Sequence, residues 1–436
     1  MAFSPQKLLG SLQAMPAPRQ YWVAFSGGMD STVLLHGLAE IRSQLSAPLM
    51  AIHINHGLQA KALEWEMFCR EVCARLNIQL TNLQLNLRPA SGESLEAQAR
   101  DARYAAIAAR MQAQDMLLTA HHGDDQVETF LLQLLRGAGV SGLASMPSIR
   151  EWEPGWLARP LLDYSREELL TWAKKEHLHW QDDPSNERLN IRRNYLRHKV
   201  IPLLKEQWPG LINTTSRSAR HCAEASSLMR EVGTMDLSLV WDKGRPWQLL
   251  ISGLAVLSPQ RQKNLLRYWI RRQGLPVPSH RIVERILAEV VTAQQAGSPM
   301  LSWNSGEIRR YRGRLYLMPT LPRVPAEELR LHWDGSKPLK LPEGLGRLLA
   351  NPEVDWLSEG VDVVFRSEGL KCRPGKGRKN RSFKGLCQDL NIPPWLRQRL
   401  PLVYRNDELV AIADYCTCQP ETGKSPFIWE RPEWLH

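Results

Sequence analysis

The sequence predicts an α/β protein whose first part is a parallel sheet, followed by a mainly helical middle region and a small α+β region. Two observations predict the parallel sheet. Apolar stretches of strand length alternate with amphipathic stretches of helix length as far as Leu135, an order typical of a sheet covered by helices on both faces. The pair Gly27-Gly28 stands between the first strand and the first helix, where the chain must turn tightly.

The elements follow in order along the chain. Strands are predicted over residues 21–25, 49–54, 78–85 and 116–120, and the helices after them over 30–41, 60–76, 94–111 and 124–135. Helices over 165–177 and 189–204 complete a first domain, 1–207. The middle domain, 208–322, carries helices at 259–272 and 280–292 and short strands at 307–310 and 314–318. The third domain, 323–436, carries strands at 361–366 and 409–415.

Length and composition exclude several classes of protein. A chain of 436 residues suggests roughly three domains. No apolar run approaches the roughly 20 residues that a membrane-spanning helix needs, and residues 1–20 lack the apolar stretch of a signal peptide. We therefore expect a cytoplasmic protein without a membrane partner. The seven cysteines are scattered and odd in number, so we expect reduced thiols rather than a disulfide framework or a metal site.

The charge of the chain favours a polyanionic partner. Lys and Arg total 56 against 45 Asp and Glu, a net charge of +11, which suits nucleic acid. The stretch 366–399 holds ten basic and two acidic residues, and a second basic stretch covers 187–205. The alternative for both is a solvated basic surface. The side chains expected to contact RNA phosphates and riboses are Asn190, Arg192, Arg193, Arg197, Arg373, Arg378, Lys379, Arg381 and Lys384.

The strongest motif is the loop Ser26-Gly27-Gly28-Met29-Asp30-Ser31, between the first strand and the first helix. Glycines let the backbone approach a ligand, and the N–H groups at a helix start stabilise an anion. Phosphate alone would be repelled by Asp30, so this carboxylate indicates a bridging Mg²⁺. The alternative is an ordinary Gly-Gly turn in which Asp30 caps the helix.

A second group of polar residues follows the fourth strand. It consists of His121, Asp124, Asp125 and Glu128, and it lies at the carboxyl edge of the sheet, where α/β proteins bind ligands. We expect Asp30, Asp124, Asp125 and Glu128 to hold a metal beside the phosphates, with His121 or Asp125 near the reacting atoms. The alternative is that the acids only complement the helix dipole.

A third group lies on the helix predicted over 94–111. Glu96, Arg100 and Arg103 are spaced three or four apart, so they share one face of the helix. They could contact a base, a nucleotide or phosphates, or they could form a solvated salt-bridge ladder.

Together these motifs resemble the lysidine synthetases, a family of PP-loop ATP pyrophosphatases. The loop matches S-G-G-x-D-S, residues 96–104 match E-A-x-A-R-x-x-R-Y, and residues 121–129 match H-x-x-D-D-x-x-E-T. Residues 53–58 (H-I-N-H-G-L), 159–162 (R-P-L-L) and 190–204 (N-x-R…R…I-P-x-L) also fit the family, as does the stretch 377–402. The motifs cover about the first half of the chain, and the middle region carries little signature.

The resemblance implies a fold, a reaction and its partners. The fold is the PP-loop type, similar to adenine nucleotide alpha hydrolases. The reaction is an ATP- and Mg²⁺-dependent attachment of free lysine to carbon 2 of the wobble cytidine of an isoleucine tRNA, through an adenylated cytidine, with AMP and pyrophosphate released. Asp30, His121, Asp125 and Arg100 are the implied catalytic residues. The oligomeric state stays open, a homodimer being one candidate.

Two other functions stay open at this point. A PP-loop tRNA thiolase would share the adenylation step but needs reactive cysteines or an iron–sulfur site near the nucleotide, and no cysteine lies between Cys73 and Cys222. A non-enzymatic RNA-binding protein with a degenerate nucleotide domain would not need the acids at positions 30, 124, 125 and 128.

Overall fold

The computed structural model describes residues 2–55, 62–85, 95–182, 189–241, 244–293, 298–342, 344–353, 360–365, 370–373, 380–418, 425 and 427–435. The chain forms two compact units, Met1–Leu228 and Met229–His436. The division into three domains stays a prediction. Among the described residues, no helix combines the length and the apolar character that a membrane crossing requires.

The first unit is built on one sheet of six strands. The strands are β1 Gln20–Ala24, β2 Leu49–Asn55, β3 Gln79–Gln84, β4 Asp115–Leu118, β5 Ile149–Trp152 and β6 Gly155–Ala158. Their order is β3-β2-β1-β4-β6-β5, and every pair is parallel except β5 with β6. The predicted parallel sheet is confirmed. The antiparallel hairpin of β5 and β6, which extends it, was not predicted from the sequence.

Helices cover both faces of this sheet. They are α1 Pro5–Gln13, α2 Met29–Glu40, α3 Ala62–Arg75, α4 Leu95–Ala108, α5 Gly123–Leu135, α6 Val140–Leu143, α7 Arg166–Lys175, α8 Arg192–Tyr195 and α9 Ile201–Gln207, with α10 Leu211–Val240 leading out of the unit. Alternate residues of β1 point to opposite faces. Tyr21 and Val23 join the larger core with α1, α2, α3 and α7, while Trp22 joins a smaller core with Ile107 of α4.

The strand order fixes where a ligand can bind. The chain runs from β1 outward to β2 and β3, then returns to place β4 on the other side of β1. The loops after β1 and β4 therefore leave the sheet side by side in opposite directions, which opens a crevice at the carboxyl ends of these strands. The first predicted group of site residues lies on the loop after β1 and the first turn of α2, and the second lies on the loop after β4 and the first two turns of α5.

The second unit begins with a helical layer on a four-stranded sheet. The helices are α11 Ile251–Ala255, α12 Pro259–Arg272 and α13 His280–Arg285, which continues into a π-helical turn at Ile286–Val291. The strands are β7 Gln248–Leu250, β8 Met300–Trp303, β9 Gly306–Tyr311 and β10 Arg314–Met318, in the order β7-β10-β9-β8. Trp269 of α12 is fully buried against Ile308 and Leu315 of the sheet.

The C-terminal part of this unit is an α+β fold, as predicted. Its elements are β11 Arg330–Trp333, β12 Leu339–Lys340, β13 Arg347–Ala350, β14 Val361–Val364, β15 Lys371–Cys372, β16 Arg381–Ser382, α14 Phe383–Asp389, α15 Pro394–Arg397, β17 Leu402–Arg405, β18 Glu408–Ile412, β19 Cys416–Thr417 and β20 Phe427–Glu430. The main sheet has the order β11-β14-β17-β18-β19.

One expectation about the cysteines is wrong. Cys372 and Cys418 form a disulfide with a Cα–Cα distance of 5.6 Å. Folding brings them together across 46 residues, a proximity that their spacing in the sequence does not reveal. The other five cysteines are free thiols, as expected.

Candidate active site

In the loop between β1 and α2, the backbone conformation and the packing of the protein require glycine at one position, Gly27. Gly27 has φ +81°, and a Cβ there would lie 3.0 Å from the sulfur of Cys69. At Gly28 a Cβ would meet only Ser26 Oγ at 3.5 Å and Gln181 O at 3.9 Å. The fold therefore does not require glycine at position 28, because a side chain would fit there. The absence of a side chain at Gly28 instead suits a ligand that lies against the loop backbone.

Helix α2 begins at this loop without a side-chain cap. The backbone N–H groups of its first turn therefore remain available to an anion. Ser26 and Ser31 place their hydroxyls 3.1 Å apart, and Ser31 donates to the carbonyl of Gly28 at 2.9 Å. The backbone N–H of Gln181 donates to the carbonyl of Gly27 at 2.9 Å, which fixes the outer side of the loop.

Asp30 and His122 link the two loops. Asp30 Oδ1 is buried without a hydrogen-bond partner and lies 3.6 Å from His122 Nε2. His122 is 1% exposed, and its Nε2 lies 3.5 Å from Asp125 Oδ2 while its Nδ1 lies 3.7 Å from Asp124 Oδ2. Burial alone would lower the pKa of His122, but Asp125, Asp30 and Asp124 outweigh it and raise that pKa. Sequence reasoning missed His122, because the pair His121-His122 does not tell which ring faces the acids.

Two arginines bind two of the predicted metal ligands. Arg193 Nε and Arg197 Nε contact the two oxygens of Glu128 at 2.5 Å each, and both arginines contact Asp125 Oδ1 at 3.0 Å. Glu128 is fully buried. Burial opposes ionisation of Asp125, but His122 and these arginines hold its pKa well below its ordinary value. These two acids and two arginines form a network of four ion-paired residues, in which the acids are buried and the arginines half-buried.

The segment that carries these arginines is a helix with a widened turn. Between α8 and α9, residues Leu196–Val200 form a π-helical turn just before Pro202. Proline has no N–H and interrupts the ordinary helix ladder, and such widened turns often lie at functional sites. Arg193 and Arg197, four residues apart, both point from this helix to α5.

Asp124 is held by a separate set of contacts. It accepts a hydrogen bond from the backbone N–H of Arg166 at 2.8 Å and pairs with Lys205 Nζ at 2.6 Å. Among the residues that the structure describes, no group of three or more His, Cys, Asp or Glu is arranged to hold a metal ion. The metal role of Asp124, Asp125 and Glu128 thus stays a prediction. Within the part of the chain that the structure describes, Asp30 is the member of that set whose ion-pair contact is a histidine, His122, and not a lysine or an arginine.

The loops open onto a cleft of about 510 Å³. One wall is the glycine loop with Asp30, and another is α4, which contributes Arg100, Arg103 and Tyr104. The guanidinium of Arg100 lies over the ring of Tyr104, 5.5 Å from its centroid. The structure therefore brings the predicted loop, Asp30, Arg100, Arg103, His121, Asp125 and Arg197 to one cavity.

His121 lies in this cleft, where burial makes its ring hard to protonate. Its Nδ1 lies 2.9 Å from the hydroxyl of Thr119. Burial lowers the pKa of His121 to about 4, against the opposing effect of Asp125. At neutral pH the imidazole can hydrogen-bond a reacting oxygen without adding charge, but it is a weak acceptor of a proton.

Several predicted RNA contacts lie outside this cavity. Asn190 and Arg192 are exposed just before or on α8. Arg373, Arg381 and Lys384 are exposed in the second unit, where Arg381 also pairs with Asp389. The side chain of Glu96, together with Arg378 and Lys379, lies outside the described residues.

Parts of the chain are similar to known protein families and to solved structures. Three family models match the chain: the PP-loop domain at residues 4–204, the TilS substrate binding domain at 249–316 and the TilS substrate C-terminal domain at 361–427. A solved structure, the U34-tRNA thiolase NcsA from Methanococcus maripaludis, aligns with 50% of this chain and 78% of its own at 18% identity and a TM-score of 0.43.

Two curated relatives match nearly the whole chain. The tRNA(Ile)-lysidine synthase of Coxiella burnetii is 40% identical over 96% of this chain and 93% of its own length. That of Alkalilimnicola ehrlichii is also 40% identical, over 97% of this chain and 95% of its own. Identity at this level over both full lengths, with the PP-loop in place, shows that the chain belongs to the tRNA(Ile)-lysidine synthase family.

Proposed function

We propose that the chain is an ATP-dependent ligase that attaches free lysine to carbon 2 of the wobble cytidine of an isoleucine tRNA. The carbonyl oxygen of the cytidine attacks the α-phosphorus of ATP and pyrophosphate leaves. The ε-amine of lysine then attacks carbon 2, and AMP leaves with that oxygen. The observation that carries the proposal is the uncapped start of helix α2, with the Oδ1 of Asp30 that accepts no hydrogen bond, in the lining of the 510 Å³ cleft.

The ATP phosphates belong on the glycine loop. The N–H groups at the start of α2 face this position, and Gly28 leaves the backbone accessible. A carboxylate beside phosphates is tolerated when a cation lies between them, and Mg²⁺ is commonly held by one or two carboxylates plus phosphate oxygens. Asp30 fits that role because its Oδ1 has no hydrogen bond to satisfy it. A bound Mg²⁺ would supply charge neutralisation of the phosphates.

The cytidine belongs on the side of α4. Arg100 and Arg103 lie on the wall of the cleft with the ring of Tyr104. A guanidinium can donate two parallel hydrogen bonds to a planar acceptor, and Tyr104 offers an aromatic face for a base. We assign Arg100 to the pyrimidine carbonyl, whose developing charge it would stabilise during attack on phosphorus.

The ion-pair network shapes the cleft rather than supplying free acids. Asp125 and Glu128 are occupied by Arg193 and Arg197, and His122 connects them to Asp30. We therefore assign Arg193 and Arg197 to positioning α5 beside the loop. We assign His121 a hydrogen-bonding role, since its lowered pKa makes it a poor general base at neutral pH.

The thiolase alternative is disfavoured by the cysteines nearest the loop. Cys69 and Cys73 are almost completely buried. Burial raises the pKa of each thiol to about 12, so neither is a thiolate at neutral pH.

The proposal is tested by incubating the purified chain with ATP, Mg²⁺, labelled lysine and an isoleucine tRNA carrying a wobble cytidine. Label should enter the tRNA only when ATP is present. A matched tRNA with uridine at the wobble position is the control. Label in both tRNAs, or in neither while a labelled sulfur donor is incorporated, would contradict the proposal.

A further inference from the structure

The second unit contains another cleft, of about 920 Å³. Its walls come from three places in the sequence: the turn at Arg245, the turn between β9 and β10 at Arg312 and Arg314, and C-terminal segments that include Trp395 and Tyr415. The volume lies within the range typical of pockets for small ligands, roughly 300–1,000 Å³. The cleft is therefore large enough for a nucleotide.

The charge of this cleft is strongly positive. Four arginines line it, Arg245, Arg312, Arg314 and Arg431, against the single lining acid Glu433. Arg431 also pairs with Asp414 at 3.1 Å, and Arg312 donates to the carbonyl of Gln388 at 2.7 Å. Such a concentration of like charge destabilises a folded chain unless an anion compensates it.

Arg245 is the arginine that internal packing explains least. Its side chain is exposed, and within the described part of the chain it has no carboxylate partner. Arg312, by contrast, also bonds the side chain of Asn391, so it fastens the β9–β10 turn to the end of α14. A purely structural role therefore accounts for Arg312 but not for Arg245.

Aromatic rings lie among these cations. Tyr316 and Trp395 pack edge to face with centroids 5.2 Å apart, and both line the cleft. Arg431 lies 4.7 Å from the centroid of the Tyr415 ring. Guanidinium groups next to aromatic faces are the combination that binds unpaired nucleotides, since the former hold phosphate and the latter stack on a base.

We propose that this cleft binds an unpaired nucleotide of the tRNA, with its phosphate against Arg245 and its base against the aromatic wall. The occupant is the single-stranded 3′ end, because the other unpaired segments of a tRNA are closed loops and one of them, the anticodon loop, must enter the cleft of the first unit. The identity of the RNA rests on the proposed function. The nucleotide chemistry rests on the cleft itself.

The test compares Arg245→Ala with Arg281→Ala in the full chain. Arg281 is an exposed arginine of α13 outside the cleft, so both variants lose the same charge. Affinity is measured for intact tRNA and for the same tRNA without its single-stranded 3′ end. Arg245→Ala should weaken binding of intact tRNA about tenfold and lower the salt slope by about 0.7, while binding of the trimmed tRNA should not change. For Arg281→Ala, the ratio of the affinities for intact and trimmed tRNA should be the same as for the wild type.

A second arm distinguishes RNA from a free nucleotide. A single-stranded tetranucleotide and AMP are titrated separately, and binding that Arg245→Ala removes is assigned to the cleft. Arg245-dependent binding of the tetranucleotide and not of AMP supports the proposal. Equal losses for intact and trimmed tRNA, or binding of AMP as tight as that of the tetranucleotide, overturn it. Because binding is measured without lysine, its outcome does not depend on whether the ligation reaction occurs.

Discussion

Asp30→Asn should separate catalysis from folding. The side chain is 33% exposed, and among the described residues its ion-pair contact is His122 at 3.6 Å. His122 keeps Asp124 and Asp125 as neighbours when Asp30 is changed. The free energy of unfolding should therefore change by less than about 1 kcal/mol, as expected for a weak and partly solvated ion pair.

Adenylation should respond much more strongly. If Asp30 holds the cation that neutralises the phosphates, its loss removes an electrostatic contribution worth about 3 kcal/mol in the transition state, or about 100-fold in rate. Asparagine keeps the shape and one oxygen, so the change tests the charge.

The assay is pyrophosphate release in a single turnover with tRNA and saturating ATP, alongside urea unfolding of the same variant. Asp101→Asn, which changes an exposed acid of α4 outside the cleft, is the control. Release at the wild-type rate would refute the role of Asp30. A loss of folding as large as the loss of activity would refute its assignment to catalysis.

Three further predictions concern the residues around this loop. Glu128→Gln should lower the free energy of unfolding by about 3 kcal/mol, because it leaves Arg193 and Arg197 half-buried with one carboxylate between them. The control Glu64→Gln changes an exposed acid and should leave that free energy nearly unchanged. Equal urea midpoints for the two variants would contradict the prediction. Arg100→Ala should slow the cytidine step about 100-fold and leave ATP affinity nearly unchanged; a collapse of ATP binding in calorimetry would place Arg100 at the nucleotide instead. Burial lowers the pKa of His121 from 6.5 to about 4. Between these two pH values the unfolded chain binds a proton at His121 that the folded chain does not, so the free energy of unfolding falls as the pH falls from 6.5 to about 4. His121→Gln should reduce that acid-induced loss of stability by on the order of 1–3 kcal/mol. If the free energy of unfolding falls between neutral and acid pH by the same amount in the variant as in the wild type, the burial of a neutral ring is refuted.

Local features were predictable from the sequence because they depend on neighbouring residues. The predicted helix at 259–272 matches Pro259–Arg272, and the predicted strand at 314–318 matches Arg314–Met318. The Gly27-Gly28 turn and the position of Asp30 at the start of a helix follow from the same local rules. The short β5–β6 hairpin escaped prediction, since strands of four residues carry little periodicity.

Features that depend on distant residues could not be predicted. Glu128 contacts Arg193, 65 residues later in the sequence, and Arg197, 69 residues later. No pattern in the sequence predicts such pairs. For that reason the sequence predicts a metal site at the three acids of α5, while their arginine and lysine partners become visible only in the structure. The cleft at Arg245 likewise forms only when segments about 70 to 190 residues apart meet.

The central claim is that the chain joins lysine to a wobble cytidine at the expense of ATP. Its most direct test is mass spectrometry of the nucleosides from an isoleucine tRNA treated with the purified chain, ATP and isotopically labelled lysine. The account predicts loss of the wobble cytidine and the appearance of one new nucleoside that carries the lysine label, with AMP formed in equal amount. An unmodified cytidine in the presence of ATP turnover, or a nucleoside that has gained sulfur instead of lysine, would contradict it.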